Sequence, residues 1–307
     1  MEKLTLFYKY VHIQYPKQIL KWQNKICQDL ELKGRIILAH EGINGTLAGK
    51  PEHIDTYIQL MLEHPLFGGI DFKNTQGAES YFPRLRIVIK NEIVHLGVNP
   101  ETITPEQGGK HLTPQETHEL ITSNPKDLVI LDARNDYEYR IGTFKNAVLP
   151  DIKHFREFPE YIEKNLENFK DKQVLMFCTG GVRCERATAV LKVKNVAKEV
   201  YQIQGGIQRY TEEYPDGYFR GKNYVFDNRI AVRINDDVLG TCDICAKPCD
   251  DYNNCLNASC NKHHISCADC RIMYNNTCSS SCKELLEQGK VKQRPPLQKN
   301  VANYCII

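Results

Sequence analysis

The sequence predicts a mixed α/β protein in three parts: an N-terminal α+β sandwich, a central α/β domain on a parallel sheet, and a small cysteine-rich end. Three observations predict it. Strand and helix signals alternate over residues 1–96, and again, with wholly apolar strands, over 113–220. A stretch rich in proline and glycine, 97–112, parts the two. Nine of the 13 cysteines lie between Cys242 and Cys282, within the remaining segment 221–307.

In the first part, "LTLFYKY" (4–10) reads as a strand. Residues 16–32 carry Ile19, Leu20, Trp22, Ile26 and Leu30 near helical spacing, with Pro16 at the start. "RIILA" (35–39) is a short buried strand, and "HEGINGTLAG" (40–49) turns and then extends. Residues 51–63 form a second proline-led helix. "RLRIVIKNEIVHL" (84–96) alternates, with a turn near Asn91. The order suits a ferredoxin-like (acylphosphatase-like) α+β sandwich.

The second part opens on a capped helix. Thr113 stands at the N-cap, Pro114 at the first position and Glu116 three after the cap. Apolar strands follow at "LVILDAR" (128–134), "AVLP" (147–150) and "QVLMF" (173–177), and "EVYQIQGG" (199–206) is a strand and then a turn. Helices are expected at 156–169, 184–195 and 207–214. Strands joined by helical crossovers predict a parallel sheet covered on both faces. Residues 222–234 read as extended.

Composition excludes several classes. The net charge is +2, so nothing global marks a nucleic-acid binder, and DNA is not an expected partner. No run approaches 18 apolar residues, and the N-terminus lacks the pattern of a signal peptide. The expected setting is the cytoplasm. There, cysteines are reactive or metal-bound rather than disulfide-bonded. Cys27 reads as a small hydrophobe on a helix.

The chemistry centres on "VLMFCTGGVRCERATAVL" (174–191). Ligands in an open α/β sheet sit beyond the carboxyl ends of the strands, where Cys178 falls. Gly180 and Gly181 let the loop turn its N–H groups inward, with a helix N-terminus behind them. Such a concavity attracts an anion, and a thiolate is one, so the pKa of Cys178 should fall. Arg183 adds a fixed positive charge. Cys184 either resolves an oxidised or persulfidated Cys178, stands as a backup nucleophile, or is structural.

Residues 113–217 resemble a rhodanese domain. "LDARNDYEYRIGTFKNAVLP" resembles that family's first signature, with Asp132, Arg134 and Glu138 in matching places, and "VYQIQGGIQRY" resembles its closing strand-turn-helix. "CTGGVR" resembles its active-site loop: Cys178, Thr179, Gly180, Gly181, Val182 and Arg183. The resemblance implies a persulfide-bearing Cys178. The related dual-specificity phosphatases have one more residue between cysteine and arginine, so the shorter loop here fits sulfur better than phosphate. With "HEGINGTLAG", "CTGGVRCE", "YVFDNR" and the cysteine-rich end, nearly the whole chain resembles the bacterial rhodanese-domain tRNA uridine hydroxylases. That resemblance implies O2 as cosubstrate, the tRNA anticodon loop as partner and 5-hydroxyuridine as product. A plain sulfurtransferase working through a Cys178 persulfide is the alternative. Candidate RNA contacts are Arg35, Arg84, Arg86, Lys90 and the basic tail with Lys290, Lys292, Arg294 and Lys299. Gly42, Asn44 and Gly45 either admit RNA backbone or simply turn the chain.

The cysteine cluster has short paired spacings that let two thiolates reach one ion. So polar a segment cannot bury a core, and structural zinc would supply its folding energy. An iron–sulfur role and a metal-free segment are the alternatives. The expected sets are Cys242, Cys245, Cys267 and Cys270 for one ion. For the other they are Cys249, Cys255 or Cys260, Cys278 and Cys282.

Overall fold

The computed structural model describes residues 1–78 and 81–294. The first strands and helices are β1 (Glu2–Tyr10), α1 (Pro16–Asp29), β2 (Lys33–Ala39), β3 (Gly42–Gly49), α2 (Pro51–Glu63), β4 (Lys73–Ala78) and β5 (Leu85–Ile89). The sheet runs β4-β1-β3-β2-β5, antiparallel except for the β2–β5 pair. Proline opens both helices, as the sequence predicts. Phe7, Ile36, Leu38, Ile43 and Leu47 pack on Ile19, Ile26, Ile54, Tyr57 and Met61 in one core. Cys27 is buried there, and loss of solvent pushes its thiol up to about 12, so it stays neutral.

Two expectations change here. Sequence reading passes over β4, a polar edge strand with no alternation. Residues 92–96, expected to extend, fold back instead. The Glu92 carboxylate accepts from the N–H groups of Leu96 and Gly97, at 3.1 Å each. The glycines of "HEGINGT" serve the sheet: a Cβ on Gly42 would stand 2.1 Å from the Lys9 carbonyl, and one on Gly45 would meet the Phe7 ring at 2.5 Å. Asn44 is held by the Ile93 carbonyl at 3.0 Å.

The central elements are β6 (Lys110–Leu112), α3 (Pro114–Ser123), β7 (Leu128–Asp132), α4 (Asp136–Tyr139), β8 (Gly142–Phe144), α5 (Phe158–Lys164), α6 (Leu166–Phe169), β9 (Gln173–Phe177), α7 (Val182–Lys192), β10 (Glu199–Ile203) and α8 (Gly206–Glu213). The parallel sheet runs β6-β10-β9-β7. The capping box at Thr113 and Glu116 forms as read. "AVLP" makes no strand. Val148 forms one parallel bridge to Leu131, and Pro150 cannot donate a further ladder bond.

The stretch 97–112 is not a loose linker. It holds a 3-10 turn at Pro105–Gln107 and ends in β6. Arg186 of α7 is fully buried and fastens it. Its guanidinium donates to the carbonyls of Ile103 (2.9 Å) and Val98 (2.7 Å) and to Glu92 (2.5 Å). Glu41 lies 3.5 Å from the same group. One arginine therefore joins the helix behind Cys178 to the linker and the N-terminal sandwich.

A second compact unit takes Tyr137–Thr143 together with the chain from Phe219 onward. Its further elements are β11 (Phe219–Tyr224), β12 (Ala231–Arg233), β13 (Tyr252–Asn254), β14 (His263–Ile265), α9 (Ala268–Met273) and α10 (Ser280–Glu287). A three-stranded sheet runs β12-β11-β8, and β13 pairs with β14. The basic tail is described only as far as Arg294; Lys299 and Cys305 lie outside the described residues. Among the described residues no helix is long and apolar enough to cross a membrane.

Replacing Arg186 by Met leaves two part-buried carboxylates, Glu41 and Glu92, without their cation. The change should cost about 3 to 5 kcal/mol, as breaking buried ion pairs does. Urea unfolding of the full chain measures it.

Candidate active site and cysteine groups

Cys178 follows β9 directly, and α7 begins at Val182. The turn between them depends on glycine. Gly181 has φ 98°, and Gly205 and Gly206, at the N-cap and first residue of α8, have φ 72° and 67°. A Cβ on Gly206 would stand 2.4 Å from the Cys178 carbonyl and 2.7 Å from the Gly181 nitrogen, so only glycine lets the two turns meet. The N–H groups of Ile207 and Gln208 then bond the carbonyls of Cys178 (2.9 Å) and Thr179 (3.1 Å).

Inside this brace the Gly181 N–H donates to Cys178 Sγ at 3.2 Å. Arg183 reaches Thr179 Oγ1 at 3.3 Å. Burial alone raises the Cys178 pKa. The Cys184 thiol, the Arg183 charge and the backbone N–H groups of Cys184 and Arg183 outweigh it and bring it to about 6. Burial, then the neighbouring Cys178, push Cys184 well above the ordinary thiol value. The two sulfurs thus divide into a thiolate and a thiol.

Sequence reading missed the N-terminal sandwich's share of this site. Leu6 lies over Gly180, and the Tyr8 hydroxyl lies 2.9 Å from where a Cβ on Gly181 would stand. Tyr8 donates to Glu185 Oε1 at 2.8 Å, and Tyr10 donates to the Val182 carbonyl at 3.3 Å. His111 Nε2 lies 3.0 Å from the same Glu185 oxygen, and Gln202 donates to the other at 3.3 Å. Lys73, buried, sits over the Tyr8 ring at 5.2 Å and pairs with Asp71 at 3.0 Å. The only sequence signal for Tyr8 was its alternation with Leu6 and Tyr10, which put all three on one strand face.

Asp132 and Arg134 stand at the end of β7, beside the strand that delivers Cys178. Both are fully buried and form a two-pronged pair, Nε to Oδ1 at 2.8 Å and Nη2 to Oδ2 at 2.6 Å. The Arg134 guanidinium lies over the Phe177 ring at 5.7 Å. Glu138, also buried, lies in the second unit. Arg35, Arg84, Arg86 and Lys90 are all exposed, with Arg35 and Arg86 in register across β2 and β5.

In the second unit eight cysteines gather into two groups: Cys242, Cys245, Cys267 and Cys270, and Cys255, Cys260, Cys278 and Cys282. Within each, all four sulfurs lie within 4.8 Å of one another. Cys249, expected in the second group, stands outside both, and Cys255 and Cys260 both enter. Cys249 packs instead among Tyr252, Ile265 and Tyr224. The groups interleave: the second's first pair lies in the chain between the first's two pairs. They also match in detail. The Cys267 N–H donates to Cys242 Sγ and the Cys278 N–H to Cys255 Sγ, both at 3.4 Å.

Ultraviolet thiolate absorbance, taken as wild type minus Cys178→Ser, should rise with pH around a midpoint of about 6. Arg183→Met removes the fixed charge and should move that midpoint upward.

Three family models match the chain: the UPF0176 acylphosphatase like domain at residues 3–93, the Rhodanese-like domain at 113–213 and the Rhodanase C-terminal at 220–283. A protein of Shouchella clausii named tRNA uridine(34) hydroxylase is 40% identical over 287 residues, 92% of this chain and 88% of its own. One of Onion yellows phytoplasma with the same name is 40% identical, covering 91% of each chain. A third, of Corynebacterium diphtheriae, is 38% identical over 91% of this chain and 93% of its own. Likeness of that extent, carried through all three parts, makes this chain a member of the tRNA uridine(34) hydroxylase family.

Proposed function

We propose that the protein hydroxylates C5 of the wobble uridine of tRNA, with O2 as cosubstrate. Cys178 carries the reaction. Its thiolate adds to C6 of the base, which makes C5 electron-rich; one atom of O2 bonds to C5 and the other leaves as water, taking two electrons and two protons from a reductant outside the chain. The observation behind this reading is a cysteine with a pKa of about 6 held in a closed glycine loop, in a chain whose relatives bear that name. Cys178 is only 1% exposed, so the base must leave its stack to meet it. The single-stranded anticodon loop permits this. Arg35, Arg84, Arg86 and Lys90 would hold the RNA backbone. The setting is the reducing cytoplasm, where thiols persist.

Mass spectrometry of tRNA nucleosides tests the reading in cells that lack the protein, complemented with wild type or Cys178→Ser. Hydroxylated uridine returns with wild type and not with Cys178→Ser. If deletion instead leaves hydroxylated uridine unchanged while a thiolated nucleoside falls, a Cys178 persulfide sulfurtransferase takes its place.

Zinc suits both cysteine groups. A tetrahedron with zinc–sulfur bonds of about 2.3 Å has edges of about 3.8 Å. Cys245–Cys267, Cys260–Cys278 and Cys278–Cys282 stand at 3.7, 3.6 and 3.9 Å. Four protein ligands close the coordination sphere, so the ions would be structural. The purified protein should hold about two zinc ions per chain by elemental analysis. Cys260→Ser should lower that content, and Cys249→Ser should leave it unchanged.

A further inference from the structure

Addition of Cys178 to C6 creates a demand that the loop does not meet. Once oxygen is bonded to C5, that carbon still bears its hydrogen and C6 still bears the sulfur. To restore the ring, the C5–H bond must break, the C5–C6 double bond must form and the C6–S bond must break. The electron pair leaves with sulfur as the Cys178 thiolate, and the proton needs an acceptor. No oxidant or reductant enters this step.

We propose that Tyr8, backed by Glu185 and His111, takes that proton and so releases Cys178 from the modified base. The proposal rests on the hydroxylase reading. Three observations carry it. The Tyr8 hydroxyl stands against Gly181, whose N–H binds the Cys178 sulfur. It already donates its own proton to Glu185 Oε1 at 2.8 Å, so its oxygen can accept a second proton as the first moves on. The same carboxylate oxygen lies 3.0 Å from His111 Nε2, and the His111 side chain is 48% exposed, which gives the proton a way to water.

The surroundings fix this chain in place. Gln202 holds the other Glu185 oxygen, and buried Lys73 lies over the Tyr8 ring. Tyr10 and Cys184 also lie within electrostatic reach of the carboxylate. Burial first, then Glu185, raise the Tyr8 pKa well above the ordinary value, so the phenol stays protonated and works only by passing its proton along. The C5 proton of the adduct lies beside a carbonyl and is correspondingly acidic. Tyr8 touches the reacting atoms in this scheme; Glu185 and His111 act through it as positioning residues.

The test uses full-length protein in cells lacking the gene. Tyr8→Phe keeps the ring under Lys73 and removes only the hydroxyl. It should lower hydroxylated uridine by about a hundredfold, the scale of lost general-base help. It should also accumulate a protein–tRNA species that survives denaturing gels and disappears in the Tyr8→Phe/Cys178→Ser double variant. Glu185→Gln should accumulate the same species, and it guards against a folding defect peculiar to Tyr8→Phe. Full hydroxylation by Tyr8→Phe overturns the proposal. So does a loss from both variants with no covalent species, because Tyr8 would then act before the addition. Either result leaves wild-type hydroxylation, and the hydroxylase reading, intact. Absence of hydroxylated uridine with wild type removes that reading and this proposal together.

Discussion

A negative sulfur must be kept inside the protein, and much of the chain answers to that constraint. Burial opposes charge on Cys178. Nearby donors and a buried guanidinium have to exceed the cost of lost water. The loop N–H groups can point inward only if glycine turns the chain at Gly181. The loop can be braced only if Gly205 and Gly206 let α8 approach. Arg183 needs a fixed helix beneath it, and Arg186, one turn later, ties that helix to the linker and the sandwich.

The sandwich therefore forms part of the surroundings of the loop. Strand β1 sets Leu6, Tyr8 and Tyr10 along one face, and that face meets the turn after Cys178. The opposite face carries Phe7 into the sandwich's own core. Alternation along one strand packs the sandwich's own core on one side and meets the Cys178 loop on the other.

Much of this was legible. Apolar strands ending in Asp132 and Cys178, proline at helix starts and the Thr113–Glu116 capping box are local signals, and they give the parallel sheet and its site. The missing parts are long-range. Tyr8 and Glu185 are 177 positions apart, and no spacing rule joins them. β4 is polar and takes its extension from its neighbour β1. Glu92 reads as one more strand residue until its carboxylate is seen holding Leu96 and Gly97. Cys249 was misplaced for a related reason: closeness in sequence suggested a pair, while the fold gathers cysteines that alternate along the chain.

That alternation bears on how the C-terminal region comes into being. As the chain leaves the ribosome, Cys242 and Cys245 emerge first and must wait for Cys267 and Cys270. By then Cys255 and Cys260 have already been captured inside the closing loop. The second group's first pair is thus enclosed before the first group can shut, and a cut between Cys255 and Cys267 leaves no fragment with a complete set of either.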